Sequence, residues 1–241
     1  MEWTYSGARG RFTVRLCRTH LAPLPLGRKL IHMVPVKVLS YNIRSMRDDT
    51  AALARVIKAC EPDLVLIQEA PRFFRWRKKL ARLASASGLV ILTGGGTAAG
   101  PAILCNLRAT VERTEDVLLP LTPGQHRRGF ATAVVRFGGA RLGVLSCHLS
   151  LQEDERHDQA GMLLDRLAAN LQDCWATRPT GGEHTWTRTE PRRRIDAIFA
   201  TKGIEVLGCG VPTHIPGITE ADMRAATDHL PVLATLGIPA N

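Results

Sequence analysis

Residues 62–71 read PDLVLIQEAP. Between the two prolines, Leu64–Ile67 is a short continuous apolar run, which is typical of a strand buried on both faces. The run ends directly in the polar pair Gln68-Glu69. A buried polar group without a partner costs about 1–3 kcal/mol, so a carboxylate at the end of a core strand indicates a polar site at the edge of a sheet.

The segments on either side of this stretch alternate between strand and helix patterns. Val36–Ile43 predicts a strand, residues 48–60 predict a helix capped by Asp48 or Asp49, and residues 71–87 predict a basic amphipathic helix. Further strands are predicted over 89–92, 102–107, 110–118, 131–137, 142–149, 195–200, 204–209 and 232–236, with a helix over 153–169. Helices between the early strands, followed by hairpin-linked strands, predict sheets inside and helices outside.

The composition fits one globular domain. The chain has 241 residues, of which 45% are hydrophobic and 22% charged, and this excludes disordered and fibrous classes. Lys and Arg outnumber Asp and Glu by 32 to 22, an excess that suits a phosphate-bearing or polyanionic partner without proving one. No apolar run approaches the roughly 18 residues that a membrane helix needs.

The first 32 residues differ from the remainder of the chain. They carry six basic residues against one acidic residue and show no clear periodicity, and Met33 stands directly before the first predicted strand. We predict that residues 1–32 are a disordered or spurious N-terminal extension and that the domain covers 33–241. Six widely spaced cysteines predict reduced, buried thiols, and hence a cytoplasmic protein, which we expect to be monomeric.

Polar residues recur where predicted strands end. Asn42, Glu69 and His148 each close an apolar strand, Asp196 lies inside one, and Asp228-His229 precedes the last. Taken singly, each has a structural alternative: a turn residue, a helix cap, a satisfied histidine, a partner for a neighbouring arginine, or a loop. Together they predict one shared polar site at an edge of the sheets.

These residues belong to five short motifs. The motifs are LSYNIR at 39–44, PDLVLIQE at 62–69, CHL at 147–149, RRID at 193–196 and TDH at 227–229. In this order, the chain from Val36 to its C-terminus resembles the endonuclease/exonuclease/phosphatase family. The resemblance implies an α+β fold: a four-layer αββα sandwich, in which two mixed β-sheets pack face to face with helices outside.

The resemblance also implies a metal site and a reaction. Glu69 corresponds to the carboxylate ligand of a catalytic Mg²⁺, with Mn²⁺ as an alternative ion; Asn42 lies beside it and Asp228 helps to position the metal. The implied reaction is in-line attack of water on a metal-bound phosphate in a phosphodiester or phosphomonoester. Implied substrates include DNA, RNA, inositol phosphates and phospholipids.

Four further residues correspond to groups around the phosphate. By resemblance, His229 contacts the scissile phosphate and acts as acid or base, while Asp196 fixes its tautomer. His148 and Arg128 correspond to groups that reach the phosphate oxygens.

One family motif, Gly-Asp-x-Asn, is absent from the sequence. Only 25 positions separate His148 from Asp173, which accommodates a helix but not an additional strand. We therefore predict a sandwich that lacks one core strand and is less stable for it. The alternatives are a catalytically impaired member that only binds nucleic acid or a phosphorylated ligand, a damaged gene, or replacement of the missing groups by Asp173 or Glu183. A structural domain without a ligand is the alternative outside enzymes and binding proteins.

The predicted helix after Glu69 is basic and aromatic. Its six basic residues predict either contacts to phosphates or a solvated face. Phe73, Phe74 and Trp76 are predicted to pack in the core, with stacking on nucleic-acid bases as the alternative. Residues 94–100 predict a surface loop rather than a phosphate cradle, because they lack the dinucleotide and P-loop patterns. Trp186 is predicted either to line the substrate side or to pack internally.

Overall fold

The computed structural model describes residues 2–6, 11–15, 32–167 and 170–240. In the predicted extension, two short strands pair antiparallel with Glu2 opposite Arg15. Residues 1, 7–10 and 16–31 of that extension, Cys17 included, lie outside the described residues. The interpretation of residues 1–32 as a disordered or spurious extension therefore stays a prediction.

The regular elements follow the predicted alternation. The strands are β1 (Glu2–Ser6), β2 (Arg11–Arg15), β3 (Met33–Asn42), β4 (Leu64–Gln68), β5 (Val90–Gly94), β6 (Ala102–Cys105), β7 (Ala109–Leu118), β8 (Gly129–Phe137), β9 (Ala140–Cys147), β10 (Leu171–Asp173), β11 (Phe199–Thr201), β12 (Glu205–Gly210) and β13 (Val232–Pro239). The helices are α1 (Thr50–Ala59), α2 (Trp76–Ala86), α3 (Glu153–Leu167), α4 (Cys174–Thr177) and α5 (Glu220–Ala226). No helix in the described part of the chain is long and apolar enough to cross a membrane.

The first sheet has six strands in the order β12-β13-β3-β4-β6-β5. Its central pair, β3 and β4, is parallel, with Asn42 opposite Gln68. Because parallel strands end at the same edge of a sheet, this register places Asn42 and Glu69 side by side.

The second sheet consists of β7-β8-β9, and β10 and β11 form a separate two-stranded ladder. Apolar residues of both sheets, such as Val38, Ile103, Val135 and Phe137, interleave in one buried cluster between them. This cluster is the inner layer of the sandwich.

Helices cover both outer faces. Asp49 caps α1 by accepting hydrogen bonds from the backbone N–H groups of Ala51 and Ala52, and Leu53 and Ile57 pack against the first sheet. On the other side, Arg166 of α3 forms an ion pair of 2.5 Å with Glu115 of β7. The predicted α+β sandwich with helices outside is confirmed.

The second sheet ends at β9. Among residues 32–167 and 170–240, no strand runs along the free edge of β9, which pairs beyond β8 only through one bridge from Ala140 to Ala240. The predicted strand over 195–200 is correspondingly reduced to Phe199–Thr201. Ile195 and Phe199 are more than half exposed, and Gln159 is the one residue that α3 buries. The absence of a neighbouring strand accounts for all three features.

The predicted helix after Glu69 begins later than expected. It starts at Trp76 rather than Pro71, because residues 73–75 form a turn in which Arg75 adopts a left-handed conformation with φ of 57°. Phe73 and Phe74 are 79% and 82% exposed, so the prediction that they pack in the core is wrong. They lie outside the helix, whose apolar face is formed by Leu80 and Leu83.

Trp76 is the aromatic residue of this segment that does pack. A Cβ atom on Gly95 would lie 2.5 Å from its ring, and one on Gly96 would lie 2.7 Å from its indole nitrogen. Gly94, Gly95 and Gly100 are buried, so the predicted surface loop is instead covered. The glycines therefore serve close packing under the tryptophan.

The cysteines in the described part of the chain, Cys60, Cys105, Cys147, Cys174 and Cys209, are free thiols. Burial raises the pKa of Cys60, Cys147, Cys174 and Cys209 to about 12. These four side chains are therefore protonated at neutral pH and act as small apolar groups.

Candidate active site

The site begins where β3 and β4 end. Both exits are strained: Arg44, Ser45 and Met46 after β3 and Glu69 after β4 all have positive φ angles without being glycine. The backbone N–H of Ser45 donates to the carbonyl of Glu69 at 2.7 Å, which locks one turn against the other. Such conformations cost about 1–3 kcal/mol each and concentrate at functional sites.

Asn42 orients the carboxylate of Glu69. Its Nδ2 donates to Glu69 Oε1 at 2.9 Å, and its Oδ1 accepts from the backbone N–H of Arg44 at 3.0 Å. Glu69 is thus held at the sheet edge by a neutral amide while its side chain stays partly exposed to solvent. This combination suits a carboxylate that has to bind an external cation.

The second sheet contributes His148 and Arg128. His148 follows β9, and its Nε2 lies 3.9 Å from Glu69 Oε1. The Nη1 of Arg128 lies 3.1 Å from His148 Nδ1, where it donates and Nδ1 accepts. Burial, and then the positive charge of Arg128, lower the pKa of His148 to about 4. His148 is therefore neutral at neutral pH, next to a permanent cation.

His229 and Asp196 form a buried pair. The distance from His229 Nδ1 to Asp196 Oδ2 is 2.7 Å, and both side chains are about nine-tenths buried. Burial lowers the pKa of His229, but the hydrogen bond to Asp196 and the charges of Asp196, Asp228 and Glu69 outweigh it, so the pKa is raised. Asp196 holds the Nδ1–H tautomer, which leaves Nε2 available to a substrate.

Asp228 lies beside an arginine side chain. Its Oδ2 is 3.6 Å from Arg44 Nε, and Arg44 Nη1 is 3.3 Å from Asp48. Arg188 Nη1 lies 3.7 Å from the same Asp48 carboxylate. No motif predicted that Arg44, Asp48 and Arg188 lie together at the site, although Arg44 belongs to the LSYNIR motif and Asp48 was a candidate helix cap.

Thr185 is a further residue that the sequence reasoning missed. It is fully buried, and its Oγ1 accepts hydrogen bonds from the backbone N–H groups of Ile195 and Asp196, both at 3.2 Å. Its backbone also bonds to Arg193 and Leu230, which links the segments that carry Asp196 and His229. A threonine in a loop gives no local signal for such a contact, because its partners are about ten or more residues away.

Asp173 does not replace the missing aspartate. Both of its carboxylate oxygens bind Arg194, at 2.6 and 2.5 Å, and one also caps α4. It is a structural ion pair, because its oxygens are already occupied by the guanidinium. The hypothesis that Asp173 handles the attacking water is therefore not supported.

The side chains at this edge fit a magnesium ion that is bound by few protein ligands. In the part of the chain that the structure describes, no group of three or more His, Cys, Asp or Glu side chains could hold a metal ion as a cage. Mg²⁺ is usually bound by one or two carboxylates, with water and substrate phosphate completing its shell. Glu69, oriented by Asn42 and partly exposed, meets that requirement.

The depressed pKa of His148 predicts how stability depends on pH. A histidine in the unfolded chain has a pKa near 6.5, whereas His148 in the folded chain has a pKa of about 4. Between these two pH values the unfolded chain is protonated at this histidine and the folded chain is not. Stability therefore falls as the pH is lowered through this interval. Between about pH 6.5 and 4.5 we expect the wild type to lose about 2 kcal/mol more than His148→Gln. Urea denaturation in EDTA measures this difference, and parallel curves for the two proteins would contradict it.

Comparisons with known proteins agree with the fold. A model described as the Endonuclease/Exonuclease/phosphatase family matches residues 39–175. Among solved structures, TDP2 of D. rerio complexed with a single-strand DNA product is 18% identical and has a TM-score of 0.66, covering 84% of this chain and 98% of its own. The mannosyl-6-phosphatase of Bacteroides thetaiotaomicron is 17% identical with a TM-score of 0.68, covering 83% and 99%.

The catalytic domain of human Nocturnin is 13% identical, with a TM-score of 0.60, and the match covers 85% of this chain and 94% of that domain. No curated protein matches the chain in sequence. At these identities, the structural likeness establishes the fold, while activity has to be argued from the site.

Proposed function

This chain belongs to the Endonuclease/Exonuclease/phosphatase family, and we propose that it hydrolyses phosphate esters with the help of Mg²⁺ or Mn²⁺ held at Glu69. The observation that carries this proposal is the convergence of polar side chains from both sheets at one edge. Asn42, Glu69, His148 and Arg128 are connected there, and the charge of Glu69 also acts on His229 of the buried pair with Asp196.

Each group has a defined role in this proposal. A divalent ion, when bound, supplies positive charge to the phosphate. Arg128 and the neutral His148 bind phosphate oxygens, and His229, held by Asp196, donates a proton to the leaving oxygen through Nε2. Asp228 contributes through Arg44, whose guanidinium it positions at the edge of the site.

Because the Gly-Asp-x-Asn motif is absent from the sequence, we expect a low rate of hydrolysis. A positioned base contributes roughly 10²–10⁴-fold, so a site without one is expected to be slow rather than inert.

The second candidate function is binding of nucleic acid or a phosphorylated ligand without turnover. It is favoured by the structural ion pair of Asp173, which leaves the attacking water without an evident partner. We further propose that the protein is monomeric and that it is cytoplasmic, and the free thiols support the second of these proposals.

The experiment that tests the proposal is hydrolysis of bis-p-nitrophenyl phosphate and of a single-stranded oligonucleotide, with Mg²⁺, with Mn²⁺ and with EDTA. We expect metal-dependent turnover by the wild type and a fall to the EDTA level in Glu69→Gln, because the amide removes the charge that attracts the ion. Glu220→Gln, an exposed glutamate on α5, is the matched control and should keep wild-type turnover. A folded wild type that binds oligonucleotide but shows no turnover with either ion would favour the second candidate.

A further inference from the structure

An exposed basic and aromatic turn adjoins Glu69. Residues 70–87 contain six basic residues and no acidic residue: Arg72, Arg75, Arg77, Lys78, Lys79 and Arg82. At the start of this segment, Phe73 and Phe74 present almost their whole side chains to solvent. Burying an aromatic ring is favourable, so two adjacent rings that remain exposed indicate a surface that binds a partner.

The turn is anchored at both ends. On one side, the backbone N–H of Ala70 donates to the carbonyl of Gly100 at 2.8 Å. On the other, Trp76 packs on Gly95 and Gly96. The backbone between these anchors is short, so Phe73 and Phe74 are held outward on a defined turn rather than on a long loop.

An arginine guanidinium lies near each phenylalanine ring. The Cζ of Arg72 is 5.5 Å from the ring centroid of Phe73, and that of Arg75 is 6.0 Å from the centroid of Phe74. Arg72 also donates weakly to the carbonyls of Ala99 and Arg127, at 3.5 and 3.4 Å. Through Arg127 the turn is directly connected to Arg128 of the candidate active site.

We propose that Phe73 and Phe74, with Arg72 and Arg75, form a platform that binds single-stranded nucleic acid. Bases stack on the two rings, the guanidinium groups bind the flanking phosphates, and the strand continues past Arg128 to Glu69. This inference rests on the proposed function, because it names the substrate class of the same site. We refer to these four residues as the Phe73–Phe74 platform.

The chemistry of the platform selects the kind of partner. Only unpaired bases offer free faces to an aromatic ring, since the bases of a duplex are stacked on each other. The excess of six positive charges without an acidic residue complements a phosphate backbone. A membrane is a poorer match, because the turn offers only two apolar side chains and each is paired with a guanidinium.

Equilibrium binding tests the platform separately from catalysis. Fluorescence anisotropy with a labelled oligothymidine of about 12 nucleotides is measured in EDTA on Glu69→Gln protein, so that no turnover is needed. We expect Phe73→Ala and Phe74→Ala each to weaken binding about tenfold. The control is Leu107→Ala, which removes an equally exposed apolar side chain near the start of β4, at the opposite end from Glu69, and should leave affinity unchanged.

An abasic oligonucleotide of the same length isolates the stacking contribution. It keeps the phosphates but offers no base, so the two phenylalanine variants and their parent should bind it equally. Unchanged oligothymidine affinity when Phe73→Ala and Phe74→Ala are combined, or an equal loss of affinity for the abasic strand, would overturn the proposal. A loss of binding to phosphatidylserine vesicles with unchanged oligonucleotide binding would identify a membrane surface instead.

The two proposals fail in different ways. If the platform is wrong but the enzyme is not, wild-type turnover of bis-p-nitrophenyl phosphate persists, since that substrate has no nucleobase. If the enzyme proposal is wrong but the platform is not, the binding differences persist in EDTA.

Discussion

Replacing His229 with alanine is expected to lower kcat for metal-dependent phosphodiester hydrolysis by about 10³-fold, the usual contribution of a positioned acid or base. The variant loses the imidazole that donates to the leaving oxygen and leaves the buried carboxylate of Asp196 without its partner. Circular dichroism and a urea titration should therefore accompany the kinetics. His214→Ala, which removes an exposed histidine, is the matched control. Retention of a third of wild-type kcat by His229→Ala would contradict the assignment.

Asp196→Asn separates positioning from chemistry at the same pair. The asparagine keeps the shape of the side chain but removes the charge that helps to raise the pKa of His229. Because His229 acts as an acid only while protonated, the alkaline limb of the kcat profile should move to lower pH. A purely structural role for Asp196 would lower kcat without moving that limb.

The second large effect concerns stability. The carboxylate of Asp63 is 4% exposed and accepts three hydrogen bonds, from Lys37 N at 2.8 Å, Asn106 Nδ2 at 2.8 Å and Arg108 Nη1 at 2.7 Å. These hydrogen bonds join the middle of β3 and the beginning of β4 to the end of β6. Removing a buried charge and leaving its donors unpaired costs about 3–5 kcal/mol, a large share of a typical free energy of unfolding.

We accordingly expect Asp63→Ala to lower the free energy of unfolding by about 3–5 kcal/mol in urea denaturation, with unchanged slope. Asp158→Ala, at an exposed position of α3, is the control and should change stability by less than about 0.5 kcal/mol. A loss below about 1 kcal/mol in Asp63→Ala would show that the three donors find water instead.

The sequence predicted the structure correctly where local residues determine whether a segment forms a helix or a strand. The apolar run Leu64–Ile67 and its polar end predicted both a buried strand and the position of Glu69. The helix over 50–59 followed from its spacing and from Asp49 as a cap. The edge site followed because β3 and β4 are parallel and their ends coincide.

The incorrect predictions concern segments whose structure depends on contacts with a distant part of the chain. Residues 195–198 have a strand pattern, but a strand also needs a neighbour, and the segment that would pair with them is absent from the described residues. Phe73 and Phe74 were assigned to the core because a basic helix needs an apolar face, yet the turn at Arg75 moves them outside that helix. The buried glycine loop depends on Trp76, which packs on it from a different element.

The open side of β9 also bears on how the molecule moves. Resistance to local opening grows with buried apolar contact, and α3 buries only Gln159 where α1 buries five residues. The first sheet with α1 and α2 therefore forms the cooperative unit of highest protection. The α3 side is expected to open and close many times for each global unfolding event, as a separate low-energy fluctuation. The open edge of β9 is thus expected to divide the sandwich into a well-protected half and a half that opens locally, which amide hydrogen exchange would resolve.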